Sequence, residues 1–123
     1  MATKIAITGM GIISAIGHSV AENLDSLLHN KSGLEKIKYL STKHKNEFLV
    51  GEVKKSNQEL ASILGLPNNH TFTRTALLGA VAAKEAVKNA NLTWGKQDRI
   101  GLISSTSVGA VSYTHLRAHE TLR

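Results

Sequence analysis

KIAITGMGIISAIG, residues 4–17, is the stretch that decides the fold. A short run rich in β-branched residues ends at a glycine turn, and a helix signal follows from residue 19. This order places a loop at the carboxyl end of a strand, where α/β proteins usually hold their ligands and reactive groups. We therefore look for chemistry first in this glycine turn.

Two nearly continuous apolar runs, residues 4–8 and 99–105, predict strands covered on both faces. A shorter strand is predicted over residues 48–53. Strands that alternate with helices favour a parallel or mixed sheet with helices packed on it and right-handed crossovers. The expected fold class is α/β, in the form of a single unit or half of one.

The first two helices are predicted from their capping signals. Ser19 with Glu22, and Ser56 with Glu59, have the spacing of a capping box. The first helix is expected to bury one apolar face and to end in a turn where Gly33 is free to take positive φ. That apolar face consists of Val20, Leu24, Leu27 and Leu28.

The second helix is expected to stop at Gly65 and Pro67, and the third and longest to span residues 73–91. The third helix carries a stripe of small residues at helical spacing, which predicts close packing in the core rather than a ligand groove. The stripe consists of Ala76, Ala80, Ala83, Val87 and Ala90.

Composition limits the classes of function. With no cysteine there is neither a disulfide framework nor a thiolate metal site. No apolar run approaches the roughly 20 residues that span a bilayer, and the N-terminus has no signal-peptide pattern. We expect a cytoplasmic protein without a membrane segment.

The chain has a formal net charge of +6, and six of its lysines lie in one stretch that also contains three glutamates. Such a stretch is typical of a solvated surface, and it is also suited to steering an acidic partner. Nucleic-acid binding is disfavoured, because aromatic residues make up only 4% of the chain and do not interleave with the cations. The lysines concerned are Lys36, Lys38, Lys43, Lys45, Lys54 and Lys55.

The glycine turn resembles a dinucleotide loop only in part. Gly9 and Gly11 would admit a phosphate, but Ser14 stands where the fingerprint needs a third small residue, and no acidic residue follows at ribose distance. The short-chain dehydrogenase and P-loop patterns also fail. We interpret the turn as a tight connection between strand and helix.

Candidate nucleophiles and metal ligands are weak. Ser14 lies in no nucleophile elbow, and His18 has no evident carboxylate partner in the sequence. The hydroxyls of residues 104–107 lack a paired base and are typical of a turn. His115 and His119 have helical spacing but no third ligand.

Residues 112–123, SYTHLRAHETLR, differ in character from the rest of the chain. They show neither strand alternation nor an apolar helix face, and they resemble translated sequencing-adapter DNA. We therefore predict two parts, a partial domain over residues 1–111 and a non-native tail over residues 112–123 that is excluded from fold reasoning.

Five segments in order resemble the β-ketoacyl-[acyl carrier protein] synthases. They are residues 5–17 with their glycine turn, residues 27–34, residues 48–53, the helix from Arg74 to Leu92, and residues 99–109. The resemblance covers about residues 3–109. One departure is the single basic residue at the start of the long helix, where many members have two.

The resemblance implies an incomplete thiolase-like fold, with this chain as an N-terminal fragment that forms the first part of the first of two similar halves. It also implies decarboxylative Claisen condensation of an acyl thioester with malonyl-carrier protein, in fatty-acid or polyketide synthesis. The cysteine nucleophile and two histidines of the family lie further along than this chain reaches. No residue here is therefore assigned as catalytic, cofactor-binding or metal-binding.

The further implications are an acyl carrier protein partner, a homodimer in the full-length form, and no cofactor. This chain alone is expected to be inactive and to fold poorly. Two alternatives stay open at this point. One is a non-catalytic partner subunit resembling a chain-length factor, which keeps the synthase fold without the cysteine. The other, less favoured, is a nucleotide-binding oxidoreductase domain.

Overall fold

The computed structural model describes residues 4–91 and 99–106. Its elements are, in chain order, α1 (Val20–Leu28), β1 (Leu34–Lys36), β2 (Leu49–Gly51), α2 (Asn57–Leu64) and α3 (Arg74–Asn89). The combination of three helices with a small sheet confirms the α/β class. None of the described helices is both long and apolar enough to span a bilayer.

Helix α2 has the ends that the sequence predicts. The Ser56 hydroxyl accepts from the Glu59 N–H at 3.2 Å, and the Glu59 carboxylate accepts from the Ser56 N–H at 2.7 Å, which completes the capping box. Gly65 ends the helix with φ 73°, a left-handed conformation that glycine adopts readily. Both predictions are confirmed.

Ser19 is the N-cap of helix α1 as predicted, but its capping box is incomplete, because the Glu22 carboxylate accepts from the His18 N–H and not from that of Ser19. Two other predictions for this helix are wrong. Its buried residues are the polar Asn23 and Ser26, whereas the predicted apolar face is largely exposed, with Leu28 at 70%. The reason is that the neighbouring turn at residues 14–17 presents polar groups to the helix. Asn30, at φ 51°, takes the positive φ expected of Gly33.

The core of the described residues lies between α2 and α3. Leu60 and Leu77 are almost completely buried, and Ala61 and Val81 pack with them. Helix α3 therefore turns its larger apolar side chains toward α2. The predicted small-residue stripe is wrong as a core face, since Ala76, Ala80 and Ala83 are exposed while Val87 and Ala90 are only half-buried.

The sheet of the described residues is an antiparallel pair, in which β1 pairs with β2 and Glu35 lies opposite Val50. Strand β2 confirms the centre of the strand predicted over residues 48–53, whereas β1 was not predicted. The strands predicted over residues 4–8 and 99–105 are wrong for the described structure, because neither segment forms a ladder with another described segment. Ile5 is 93% and Ile103 99% exposed.

Several sequence predictions lie outside the described residues. Among them are Ser107, both tail histidines and the boundary predicted near residue 111. Within residues 4–91 and 99–106, no three histidine or acidic side chains are grouped in a way that could hold a metal ion.

Candidate functional site

The glycine turn packs directly against the backbone of α3. A Cβ added to Gly9 would overlap the Ala86 carbonyl oxygen, and one added to Gly11 would overlap that of Ala82. Both positions therefore need glycine because two backbones approach closely, not because a ligand does. This observation supports the interpretation of the turn as a packed connection.

Two side chains of α3 fix the turn through its amide groups. The Glu85 carboxylate accepts from the Ile12 N–H at 2.9 Å and from the Val20 N–H at 2.8 Å, one oxygen for each. The Asn89 side-chain oxygen accepts from the Met10 N–H at 3.3 Å. Glu85 thus joins the turn and the first residue of α1 to the third helix.

This arrangement bears on the dinucleotide alternative. In a phosphate-binding loop, the amides of the turn and of the helix N-terminus point at the ligand. Here an internal carboxylate takes the Ile12 and Val20 amides, and its negative charge occupies the position that suits an anion. The geometry therefore argues against a nucleotide phosphate at this turn.

Ser14 belongs to a hydrogen-bond network between the turn and α1. Its hydroxyl donates to the Asn23 side-chain oxygen at 2.5 Å and accepts from the Ile16 N–H at 3.2 Å. The Ser26 hydroxyl donates to the Ile16 carbonyl at 2.6 Å. An amide oxygen is not a general base, so this Ser14 hydroxyl is not an activated nucleophile.

His18 has a carboxylate neighbour, and the sequence prediction that it lacks one is wrong. Its Nδ1 atom lies 3.5 Å from the Glu22 carboxylate, one helical turn away. Both residues line a small cleft of about 240 Å³ together with Lys31 and Lys54. Because these two lysines already pair with carboxylates, the cleft offers no free cation for an anionic ligand.

The hydroxyls at the end of the predicted second interior strand are spread along an open surface. Ser104 and Ser105 are exposed, and with residues 102–106 they line a groove of about 910 Å³ against α3. The rest of the groove is formed mostly by the small residues of α3. Among the described residues that line the groove there is no histidine or carboxylate, so Ser104 and Ser105 have no base there.

A second polar site, centred on Glu52 and Arg74, was not predicted from the sequence. The Glu52 carboxylate accepts from the N–H groups of Lys38, Tyr39 and Leu40 at 2.6–2.9 Å. Burial alone would raise the pKa of Glu52, but these three N–H donors and the Arg74 charge together lower it below its usual value.

Arg74 ties the start of α3 to the chain that precedes α2. Its guanidinium donates to the carbonyls of Val53 and Lys55 and to the Asn57 side chain, at 2.8–2.9 Å. It also lies over the Tyr39 ring, 5.9 Å from the centroid. Arg74 and Glu52 border a cleft of about 610 Å³, and their contacts are those of a scaffold.

The groups missed from the sequence share one property, which is a partner far along the chain. The sequence places Glu85 and Asn89 only within the helix that resembles the family, and Arg74 as the basic residue at the start of that helix. Their partners lie 17–79 positions away, and local spacing carries no signal for such contacts. Among the described residues, the structure brings together a scaffold and no nucleophile–base pair.

Comparisons with known proteins give a consistent result. The family described as "Beta-ketoacyl synthase, N-terminal domain" matches residues 2–122. A "3-oxoacyl-[acyl-carrier-protein] synthase 2" of Staphylococcus aureus (strain COL) is 31% identical over 121 residues, which is 97% of this chain. A "3-oxoacyl-[acyl-carrier-protein] synthase 1" of Buchnera aphidicola subsp. Baizongia pistaciae is 29% identical over 113 residues, or 87% of this chain.

The match covers most of this chain but only part of each relative. The chain spans 28% of the length of the Staphylococcus aureus relative and 26% of the Buchnera aphidicola one. No solved structure matches the chain. The similarity therefore concerns just over a quarter of each relative's sequence, and the matching family is described as an N-terminal domain.

Proposed function

The chain belongs to the β-ketoacyl synthase family, and on that premise we propose that the whole protein is a 3-oxoacyl-[acyl carrier protein] synthase. The observation that carries the proposal is the family match over residues 2–122. The names of both reported relatives, each a 3-oxoacyl-[acyl-carrier-protein] synthase, support this proposal.

The proposed reaction forms one carbon–carbon bond. An acyl group passes from its carrier to a cysteine thiolate, which makes a thioester with the enzyme. Malonyl-carrier protein then loses carbon dioxide, and the resulting carbanion attacks the thioester carbonyl. The tetrahedral intermediate needs hydrogen-bond donors for its oxyanion, and its collapse expels the thiolate and yields 3-oxoacyl-carrier protein.

The part that this chain plays is structural. It contains no cysteine, so it cannot form the acyl-enzyme. Its polar contacts, from Glu85 to the glycine turn and from Arg74 to the start of α2, hold elements in place and activate no nucleophile. We propose that these residues scaffold the N-terminal half of the enzyme and are inactive alone.

The partners follow from the same proposal. The whole protein acts with an acyl carrier protein in the cytoplasm and forms a homodimer. No cofactor takes part in the condensation.

The test compares the 123-residue chain with the longest reading frame that contains it. Each purified protein is incubated with acyl- and malonyl-carrier protein, and 3-oxoacyl product is measured by mass spectrometry. We expect product from the long protein only, and loss of that product after iodoacetamide treatment. Product from the 123-residue chain would overturn the inactivity of the chain alone.

The same assay distinguishes an active synthase from the non-catalytic partner subunit. A long protein that makes no product, is not acylated, but stimulates a separate active synthase would be a partner subunit of the chain-length-factor kind. A stoichiometric NADPH complex would instead favour the oxidoreductase alternative, against the geometry of the glycine turn.

We also propose that residues 112–123 are not native. The proposal rests on their composition and their resemblance to adapter sequence, and the family match itself continues to residue 122. Long sequencing reads across the junction are expected to diverge from the present sequence after about residue 111. Independent reads that encode the same tail would overturn this proposal.

A further inference from the structure

We draw no further inference here: the strongest candidate, the groove of about 910 Å³ that residues 102–106 form against the small-residue face of α3, carries none, because nothing in the structure shows what covers it.

Discussion

Helices α2 and α3 differ from the extended segments 4–8 and 99–106, although both regions are rich in apolar residues. The helices bury Leu60 and Leu77 to 0% and 1% exposure, whereas Ile5 and Ile103 are exposed at 93% and 99%. A helix makes its backbone hydrogen bonds internally, so two helices need only one shared face to form a core. A strand needs a neighbouring strand for its ladder bonds, and among the described residues neither segment belongs to a ladder.

The β1–β2 hairpin, residues 34–51, lies between these two extremes. It has backbone pairing of its own, but little apolar burial, and it depends on carboxylates and one guanidinium for its shape. The three regions therefore differ in what stabilises them. Apolar packing stabilises α2 and α3, backbone pairing and polar contacts stabilise the hairpin, and segments 4–8 and 99–106 form no ladder. Substitutions can test these differences.

The largest effect is expected in the helical core. Leu77→Ala removes a side chain that is 1% exposed and should lower the free energy of unfolding by about 2–5 kcal/mol. Ile103→Ala, at an exposed position, should change it by less than about 0.5 kcal/mol. Urea denaturation followed by circular dichroism measures both. Equal losses would mean that the extended segments are packed as tightly as the helices.

A smaller loss is expected where the glycine turn meets α3. Gly11→Ala forces a methyl group onto the Ala82 carbonyl and should cost about 1–3 kcal/mol. Gly79→Ala is the matched control, since its methyl group meets nothing within 4 Å and alanine favours the helix by about 1 kcal/mol. In thermal unfolding, we expect Gly11→Ala to lower the melting temperature and Gly79→Ala to raise it. A neutral Gly11→Ala would show that the turn does not rest on α3.

The Glu85 contacts should contribute less to the free energy of unfolding than the contact of Gly11 with α3. Glu85→Ala leaves the Ile12 and Val20 amides without their acceptor, at a cost of about 1–2 kcal/mol. Hydrogen exchange of those two amides should accelerate. Lys88→Ala, on the same helix, should leave the exchange of these amides unchanged. Similar acceleration in both variants would contradict a specific role of the Glu85 carboxylate as their acceptor.

The smallest effect is a pH dependence of the hairpin. The pKa of Glu52 is lowered in the folded state, so its carboxylate stabilises the fold above the ordinary glutamate pKa of about 4.3. This contribution is lost as pH falls through the lower folded pKa. Amide protection of residues 38–40 should therefore fall in acid, and Glu52→Gln should remove that dependence. Unchanged protection in acid would exclude the carboxylate as the anchor.

The features that could be predicted from the sequence depend on residues that are close together along the chain. Ser56 and Glu59 are three residues apart, and the structure contains their reciprocal bonds as predicted. Gly65 ends α2 because its own φ is positive, again a local property. The family resemblance was recognisable for a related reason, since short motifs in a fixed order survive in sequence.

The features that were missed depend on distant partners. Helix α1 was expected to bury its leucines, yet the turn at residues 14–17 attracts Asn23 and Ser26 instead. Strand β1 has only three residues and exists because β2 pairs with it. The spacing within α1 fixes which residues share a face, but not which face meets the rest of the protein.

The Glu85 bridge also sets an order of events during synthesis. Its two acceptor contacts span 65 and 73 positions, so the glycine turn and the start of α1 are made long before their anchor. At about 5–20 residues per second, the ribosome adds those intervening residues in about 3–15 s. Throughout that interval residues 4–12 lack their contacts with α3, and a nascent chain stalled before residue 85 should expose them to protease.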